Sequence, residues 1–380
     1  MVRYIIAALL FFPVVLKAQQ PVTFLSSDSI TYQCYLKGDW DKLISTGKQA
    51  IAQNINYKRL RQRMGYALFA TADYYGSLAQ YEKALAFDKF DPDTREYLYY
   101  CAINTGNQSY ARILAKTLTP ELQKKLNIAA YKPVDAIDLE YNYKFNDSQT
   151  RSNPTYLRAG ISTLLGYRLK LYQSVSNYQQ TVDTSLTKQP EYFALLTWSV
   201  TSILSLDVAY HYLNTTVGGY PIPGNLAYAG ISAKVNRFTF GANGSILNST
   251  VGNTKQFGLQ AGVALPGKAG IYLRSGLNAS FETGVKRLIF SQVAGARLNR
   301  SIWAEGTITL GELKNYNEYK SLYVYNSLDP TTFRSGLTLF WYLGSKATLF
   351  GNYTFDKKQI TSTLKNYNQQ SFSTGISWKL

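Results

Sequence analysis

The sequence is short of the residues on which most catalytic and metal sites are built. Its 380 residues include two cysteines, Cys34 and Cys101, and one histidine, His211. Zinc and most transition-metal sites need several Cys and His residues at short spacings, and these three are too few and too widely separated. We therefore expect no metal and no cofactor.

A long uninterrupted apolar segment is also missing. Past the N-terminus no stretch of about 18 residues is continuously apolar, which is the length that a transmembrane helix requires. Charged residues make up only 17% of the chain, whereas aromatic residues make up 14%, with 32 tyrosines. This excludes a helical membrane protein. It leaves room for a transmembrane β-barrel, in which lumen residues dilute the lipid-facing ones.

The positive charge is not concentrated in one region. The net charge is +17, with 17 basic and 10 acidic residues up to Pro133, and 23 and 13 after it. Nucleic-acid binding would require clustered Lys and Arg with a known recognition motif, and neither is present. In an outer membrane, an excess of this kind favours contact with anionic lipid head groups.

The N-terminus has the pattern of a secretory signal peptide. Arg3 provides a positive start, residues 5–16 are apolar apart from Pro13, and Ala18 supplies a small residue for cleavage. We predict a signal peptide over residues 1–18, and hence an exported chain, followed by a flexible lead-in over 19–27.

Residues 28–127 repeat with a period of 34. Gly38, Ala72 and Gly106 occupy one position of the repeat, and an Asp or Asn follows each of them. The middle copy, with Met64-Gly65-Tyr66-Ala67-Leu68 and Asp91-Pro92, resembles a tetratricopeptide repeat (TPR). Such repeats are helix pairs that stack to bury a continuous core. We therefore predict a helical TPR-like domain that binds a protein partner.

Basic side chains on the predicted helices are the candidate partner-binding residues. They would favour an acidic partner, although for any single one of them a solvated face is the better explanation. They are Lys37, Lys58, Arg59, Arg61 and Arg63.

The two cysteines are predicted to be free and buried. Export would permit a disulfide. However, Cys34 and Cys101 fall on the first helices of the first and third copies. A whole helix pair then separates them by roughly 20 Å, which is beyond the reach of a disulfide.

After a linker at 128–135, residues 136–380 alternate between apolar and polar residues. In the last segment Phe372, Ile376, Trp378 and Leu380 share one face, and small or polar residues share the other. A period of two indicates strands, and repeated segments of about ten residues are typical of a transmembrane β-barrel. We predict fourteen antiparallel strands, starting near Ala136, Thr155, Tyr167, Glu191, Leu204, Leu226, Arg237, Lys255, Gly270, Val285, Ser301, Thr332, Lys346 and Gln370.

The predicted connections alternate between short and long, except for a short link between the ninth and tenth strands near Thr283-Gly284. Tight turns are expected near Gly166, Ser202, Asn236, Pro266, Asn299 and Gly344. Long links are expected near 147–153, 183–189, 216–225, 249–254, 314–330 and 357–369. This is the outer-membrane pattern, and an even strand count returns both ends to the periplasmic rim, so the helical domain is expected in the periplasm. Twelve or sixteen strands stay open, because residues 321–327 fit either a strand or a loop. Strands of about eleven residues argue against a soluble β-sandwich.

Charged residues in the strands are expected to point into the lumen, because Arg or Lys on the lipid face costs about 2–4 kcal/mol at mid-membrane. A lumen closed by ion pairs and an open, charge-selective pore both fit the mixed signs. The predicted lumen charges are Asp138, Glu140, Lys144, Arg158, Lys170, Asp207, Arg274, Glu305 and Arg334.

No catalytic motif stands out, and we expect the chain not to be an enzyme. Barrel phospholipases and lipid A deacylases carry His-x-Ser on a strand, and here His211 is followed by Tyr212 and Leu213. There is no Gly-x-Ser-x-Gly nucleophile elbow. Asp138 and Glu140 lie two apart on one face, a spacing that is usually structural.

The layout as a whole resembles exported proteins that join tetratricopeptide repeats to a C-terminal outer-membrane barrel, including the YaiO-like barrel family. The resemblance implies a location in the Gram-negative envelope more than an activity. Our first hypothesis is an interaction protein, anchored by the barrel, whose TPR domain recruits a partner for envelope assembly, secretion or polymer export. The alternatives are a solute channel that the repeats regulate or feed, and a lipid-modifying enzyme.

Overall fold

The computed structural model describes residues 23–126, 128, 131–326 and 328–380. The predicted signal peptide and the first part of the predicted lead-in lie outside the described residues. Within them, a group of helices precedes a closed β-barrel. None of the described helices is both long and apolar enough to cross a membrane.

In the described residues before the barrel there are seven helices, and the first six repeat as three pairs. The first helices of the pairs start at residues 24, 58 and 92, and the second helices at 40, 74 and 108, so each step is 34 residues. The helices are α1 Phe24–Lys37, α2 Trp40–Ala52, α3 Lys58–Ala70, α4 Tyr74–Leu85, α5 Pro92–Asn104, α6 Gln108–Thr117 and α7 Pro120–Lys125.

The repeated small residue and the Asp or Asn after it form the corner within each pair. Gly38, Ala72 and Gly106 have φ angles of 70°, 61° and 68°. This is the left-handed conformation that ends a helix and that favours small residues. The following Asp39, Asp73 or Asn107 then accepts a hydrogen bond from the backbone at the start of the next helix. We call these three turns the repeat corners.

Helix α1 begins inside the predicted flexible lead-in. Thr23 accepts a hydrogen bond from the Ser26 backbone, and the Ser26 hydroxyl oxygen accepts one from the Thr23 backbone. This capping box satisfies backbone donors at the helix start. The ordered helical part therefore starts four residues before the predicted boundary at residue 28.

Two clusters of buried side chains form the helical core, one around Cys34 and Met64 and the other around Tyr81 and Cys101. Both cysteines are buried and free, and they lie in different clusters. Close packing needs a glycine at Gly65, where an added Cβ would lie 2.7 Å from the Tyr81 ring.

The predicted fourteen-stranded antiparallel barrel is confirmed, and it closes by pairing the first strand with the last. Residues 321–327 add no barrel strand, because a small separate hairpin, β12–β13, stands between β11 and β14. The strands are β1 Val134–Asn146, β2 Thr155–Leu164, β3 Leu169–Val182, β4 Ser185–Ser199, β5 Leu204–Val217, β6 Tyr220–Val235, β7 Phe238–Ser249, β8 Gly252–Ala264, β9 Tyr272–Glu282, β10 Val285–Arg297, β11 Ile302–Leu310, β12 Tyr316–Glu318, β13 Tyr323–Tyr325, β14 Thr331–Leu343, β15 Ala347–Gln359 and β16 Asn366–Lys379.

The prediction of long links is wrong at three positions. We call the rim where β1 begins and β16 ends the near rim, and the opposite one the far rim. At the far rim the connections at 183–184, 218–219 and 250–251 are two-residue turns. The adjoining strands continue through polar residues that had suggested loops, because paired backbone does not require an apolar side chain. The far-rim connections at 147–154, 311–330 and 360–365 are long.

The barrel exposes apolar side chains on its outside. In β1, Ile137, Leu139 and Tyr141 are 44–48% exposed, whereas Glu140 between them is only 5% exposed. Other strands follow the same alternation, with outward residues that include Val208, Tyr210, Phe240, Phe257, Leu259, Leu337, Leu339, Trp341 and Phe372. The interior is lined by polar and charged side chains and by an apolar cluster on β4 to β7 that includes Phe193, Leu213 and Leu226.

Candidate functional site in the barrel lumen

The long far-rim connection at residues 311–330 folds back into the barrel. We call this segment the lumen hairpin. Leu313 and Tyr316 are 1% and 3% exposed, and they pack against Ile289 on the inner face of β10. The hairpin therefore occupies part of the lumen instead of extending from the rim.

Asn317 attaches the hairpin to the barrel wall through a small hydrogen-bond network. Its side-chain amide donates to Ser245 Oγ at 2.8 Å and to Gln256 Oε1 at 3.1 Å. Its backbone N–H donates to Gln256 Oε1 and its carbonyl accepts from Gln256 Nε2. Ser321 Oγ completes the network by donating to Asn317 Oδ1 at 2.8 Å. Buried polar groups of this kind are costly when one partner is lost.

The tip of the hairpin adopts a strained backbone conformation. Tyr319, Lys320 and Ser321 have φ angles of 50°, 59° and 69°. Three successive non-glycine residues in the left-handed region cost about 1–2 kcal/mol each. Contacts with β5 hold the tip in place, since Lys320 Nζ lies 2.8 Å from the Asp207 carboxylate and the Ser321 carbonyl lies 2.8 Å from His211 Nδ1.

The returning half of the hairpin is held by paired charges. Tyr323 donates to the Glu140 carboxylate, which also pairs with Arg158. Tyr325 contacts Arg334, whose guanidinium forms two hydrogen bonds to Asp356 at 2.7 and 2.8 Å.

At the end of the hairpin Asp329 pairs with Arg151 at 2.7 Å. Both side chains are about 6% exposed. The lumen hairpin is thus attached on several sides of the barrel.

Beside the hairpin the lumen contains a cavity of about 1000 Å³. We call it the lumen cavity. Its lining includes Asp183, Val251 and Thr361 in far-rim connections, so it opens at the far rim. Toward the near rim the lumen cavity reaches Phe340 and Phe350. The lining combines tyrosines, amides, hydroxyls and charges of both signs with an apolar side that includes Leu213, Leu247 and Val324.

The predicted lumen charges lie on the inner face, and most have a partner. Glu140, Lys144, Arg158, Glu305 and Arg334 line the lumen cavity. Lys144 lies 5.8 Å from the centre of the Tyr178 ring.

The remaining predicted charges lie closer to the near rim or under the hairpin tip. Asp138 accepts from Tyr172, Lys170 pairs with Asp135, and Asp207 accepts from Lys320 and Thr197. Arg274 lies on the same face of β9 as Tyr272, whose hydroxyl contacts Glu305.

Arg61 was predicted to be one of five candidate partner-binding residues, and the structure shows that it is not available to a partner. It is 4% exposed and donates to Asn56 and Gln80, because it ties α3 to its neighbours. Lys37 and Arg59 are exposed, although Arg59 also donates to Gln62. Arg63 pairs with Asp28 at 2.7 Å.

Lys58 is also occupied within the helical part. Its Nζ lies 3.0 Å from both Asp88 and Asp91. The hydrogen bonds from the two carboxylates raise the pKa of Lys58. The same contact lowers the pKa of Asp88. Two of the five predicted basic residues, Lys58 and Arg63, are therefore neutralised by carboxylates within the helical part.

The helical part rests on the near rim of the barrel through two repeat corners. Asp73 pairs with Arg237 at 3.0 Å, and the Gly267 backbone donates to the Ala72 carbonyl. In the next corner Asn107 Nδ2 donates to the Ser202 carbonyl at 2.7 Å. Sequence reasoning missed this interface. The signal for it was the Asp or Asn at one position of each repeat.

His211 is placed for structure, not for hydrolysis at the lipid surface. It is 1% exposed and faces the lumen, with Nε2 3.3 Å from Glu191 and its ring against Phe193. Its other ring nitrogen contacts the hairpin. Within the described residues, no group of three or more His, Cys, Asp or Glu side chains is arranged to hold a metal ion.

Comparisons with known proteins give only a general likeness. No protein-family model matches the sequence, and no curated protein matches it. Among solved structures, a bacterial polysaccharide outer membrane secretin is 8% identical with a TM-score of 0.43, over 66% of this chain and 100% of that one. The Pseudomonas putida toluene transporter TodX is 6% identical with a TM-score of 0.44, over 66% and 90%. The Acinetobacter baumannii outer membrane protein Omp33 is 7% identical with a TM-score of 0.38, over 66% and 100%. At these values the likeness says nothing about what this chain binds or transports.

Proposed function

We propose that this chain is an outer-membrane channel for a polar solute, restricted by the lumen hairpin and carrying a periplasmic helical domain at its inner mouth. The observation that carries the proposal is the interior. A cavity of about 1000 Å³, lined by charged, polar and apolar side chains, and an inward-folded hairpin occupy the space that a packed core fills in a small barrel.

The outer surface supports placement in a membrane. Strands of 9–16 residues carry outward apolar side chains that are close to half exposed. About 9–11 tilted residues per strand suffice to cross a bilayer. In water so much exposed apolar surface would promote association, whereas in lipid it is buried.

The orientation follows from the rims. Outer-membrane barrels keep short turns on the periplasmic side and longer loops outside. The two longest connections, at 147–154 and 311–330, are at the far rim, and the helical part contacts the near rim. The helices are then periplasmic, and the lumen cavity opens to the exterior.

Liposome swelling in a polar solute tests the channel directly. The wild-type chain is compared with a variant in which residues 312–329 are replaced by Gly-Ser-Gly, which keeps β11 and β14 adjacent. We expect slow swelling with the wild-type chain and markedly faster swelling with the variant, because the constriction is gone. If neither protein permeabilises liposomes while both remain folded, the channel proposal is refuted.

A second candidate function is recruitment of a protein partner by the TPR-like helices. The edge away from the barrel exposes Phe87 and Phe90, at 49% and 79%. Half-buried rings of Tyr35, Tyr66 and Tyr97 form a chain of aromatic contacts across the three pairs. Aromatic residues exposed in this way are enriched in protein interfaces.

Site-specific photo-cross-linking at Phe90 in intact cells tests the recruitment candidate. A partner cross-linked at Phe90, and not at the outward barrel residue Tyr210, would support it. The absence of any cross-link that depends on the helical domain would count against it.

A further inference from the structure

A second cavity lies between the helices and the near rim of the barrel. It has a volume of about 590 Å³, and we call it the mouth cavity. Its lining comes from two repeat corners on one side, at 72–75 and 103–106, and from the near ends of β8 to β11 and β14 on the other. It therefore lies at the near-rim end of the barrel, beside the helices.

The mouth cavity is strongly basic. Lys268, Arg297 and Arg300 line it, and in the described part of the chain none of the three forms an ion pair with a carboxylate. Asp73 is the one acidic residue in the lining, and it is already neutralised by Arg237 at 3.0 Å. Three uncompensated cations around one cavity attract an anion, and arginine is well suited to carboxylate or phosphate groups.

The same cavity has an aromatic wall. Tyr272 and Trp303 are stacked with ring centres 5.8 Å apart, and Tyr342 and Tyr74 also line the space. The Arg297 guanidinium lies 5.9 Å from the Trp303 ring. The face of an aromatic ring is electron-rich and attracts C–H groups, which carry a small positive charge. A flat aromatic wall therefore suits a rigid ring that has C–H groups on one side.

The mouth cavity adjoins the lumen cavity through a thin layer of side chains. Tyr272 lines the mouth cavity and contacts Glu305, which lines the lumen cavity. Trp303 lines the mouth cavity and is paired in register with Phe340, which lines the lumen cavity. A solute held in one cavity is therefore one residue layer from the other.

We propose that the mouth cavity binds an acidic sugar, with Lys268, Arg297 and Arg300 holding its carboxylates and the Tyr272–Trp303 wall holding its ring. This inference rests on the proposed function, since it names the class of solute that the channel conducts. Charge selects the anion, and the aromatic wall selects a ring-shaped anion over a simple one.

Isothermal titration calorimetry on the full chain in detergent tests the proposal. The probes are a β-1,4-linked trimer of glucuronic acid, cellotriose as its neutral counterpart, and inorganic phosphate. The test variant replaces Lys268, Arg297 and Arg300 by glutamine. A control variant replaces the exposed far-rim residues Lys188, Lys255 and Lys286 by glutamine, which removes the same charge elsewhere.

We expect the acidic trimer to bind at least about tenfold more tightly than either cellotriose or phosphate. The test variant should lose at least about tenfold in affinity for the acidic trimer, and the control variant should not. Trp303→Leu should lower the affinity for the acidic trimer and leave the weak binding of phosphate unchanged.

Several outcomes would overturn the inference. If cellotriose binds as tightly as the acidic trimer, charge does not select the ligand. If phosphate binds as tightly as the acidic trimer, the sugar ring is not recognised. An unaltered affinity in the test variant would place the site elsewhere. If the trimer does not bind while liposomes still swell, the acidic-sugar site fails and the channel stands. If the trimer binds and no permeation occurs, the channel fails instead.

Discussion

Replacing Asn317 by alanine should loosen the lumen hairpin and raise the conductance of the barrel. The substitution removes three side-chain hydrogen bonds, to Ser245, Gln256 and Ser321, at 2.8, 3.1 and 2.8 Å. The backbone contacts of residue 317 with Gln256 remain, so the hairpin is weakened and not deleted.

The magnitude follows from the burial of the network. Each hydrogen bond contributes about 0.5–1.5 kcal/mol net, so the three together contribute about 2–4 kcal/mol to docking of the hairpin. This compares with about 3–6 kcal/mol of backbone strain over Tyr319, Lys320 and Ser321, which undocking would relieve. Since 1.4 kcal/mol is a factor of ten, the ratio of undocked to docked hairpin should rise roughly 30- to 1,000-fold.

Single-channel recording in planar bilayers measures this ratio as an open probability. Asn317→Ala should spend far more time in a high-conductance level than the wild-type chain. Asn248→Ala is the matched control, because it removes an exposed asparagine from the outer face of β7. If Asn317→Ala folds normally and its open probability equals that of the control, the hairpin does not set the constriction and the reasoning is refuted.

Three further predictions concern the helical part and its contact with the barrel. Burial raises the pKa of Cys101 to about 12. Iodoacetamide at pH 8 should therefore modify Cys101 only after urea unfolds the helices, because the thiolate is the reactive form. Rapid modification of Cys101 in the folded chain would contradict its burial. Burial alone would raise the pKa of Asp91, but its hydrogen bonds and its ion pair with Lys58 lower that pKa. The stabilisation that Asp91 gives the folded chain is therefore complete above its unfolded pKa of about 4, and it is lost as the pH falls further. Asp91→Asn should therefore lower the Tm at pH 7 and flatten the acid limb of a melting series, and an unchanged pH profile would count against this. Asn107→Asp keeps the side-chain acceptor that caps α6 but loses the N–H donor to the barrel. It should therefore increase protease cleavage in the 126–133 segment without lowering the helix content. A lower helix content would mean instead that the cap was disturbed.

Packing at one glycine gives a stability prediction with an internal comparison. Gly65→Ala should destabilise the helices by about 1–3 kcal/mol, because the new Cβ would lie 2.7 Å from the Tyr81 ring in a close-packed core. Gly106→Ala meets no atom within 4 Å, and its cost of about 1–2 kcal/mol comes from the positive φ alone. Urea unfolding measures both. A stabilising effect of Gly65→Ala would show that this core has room to spare.

The sequence carried enough information for the elements and their faces. The 34-residue period located the corners at Gly38, Ala72 and Gly106, because a left-handed turn and a helix cap each demand particular residue types. Alternation located all fourteen barrel strands, because one face must be apolar in lipid and the other meets a polar lumen. Local chemistry was sufficient in both cases.

What the sequence did not predict depends on contacts between distant segments. The sequence predicts a long link at 314–330 in which residues 321–327 fit either a strand or a loop, and nothing local indicates that the link turns inward. Its position comes from partners such as Gln256 and Glu140, which lie far along the chain. The mouth cavity likewise exists only because the repeat corners meet the near rim. Arg61 was misassigned because a basic residue on a helix usually faces solvent, and here the neighbouring helices supply its partners.

Reversible tethering of the lumen hairpin tests the central claim most directly. Lys320 and Asp207 are replaced by cysteine, in a chain whose Cys34 and Cys101 are alanine. A short bis-methanethiosulfonate cross-linker joins the new pair through two disulfides that a reductant cleaves. Conductance is recorded in one bilayer before and after reduction. We predict a low conductance with the tether and a large, immediate increase when it is reduced. The same conductance in both states would show that the hairpin does not restrict the lumen.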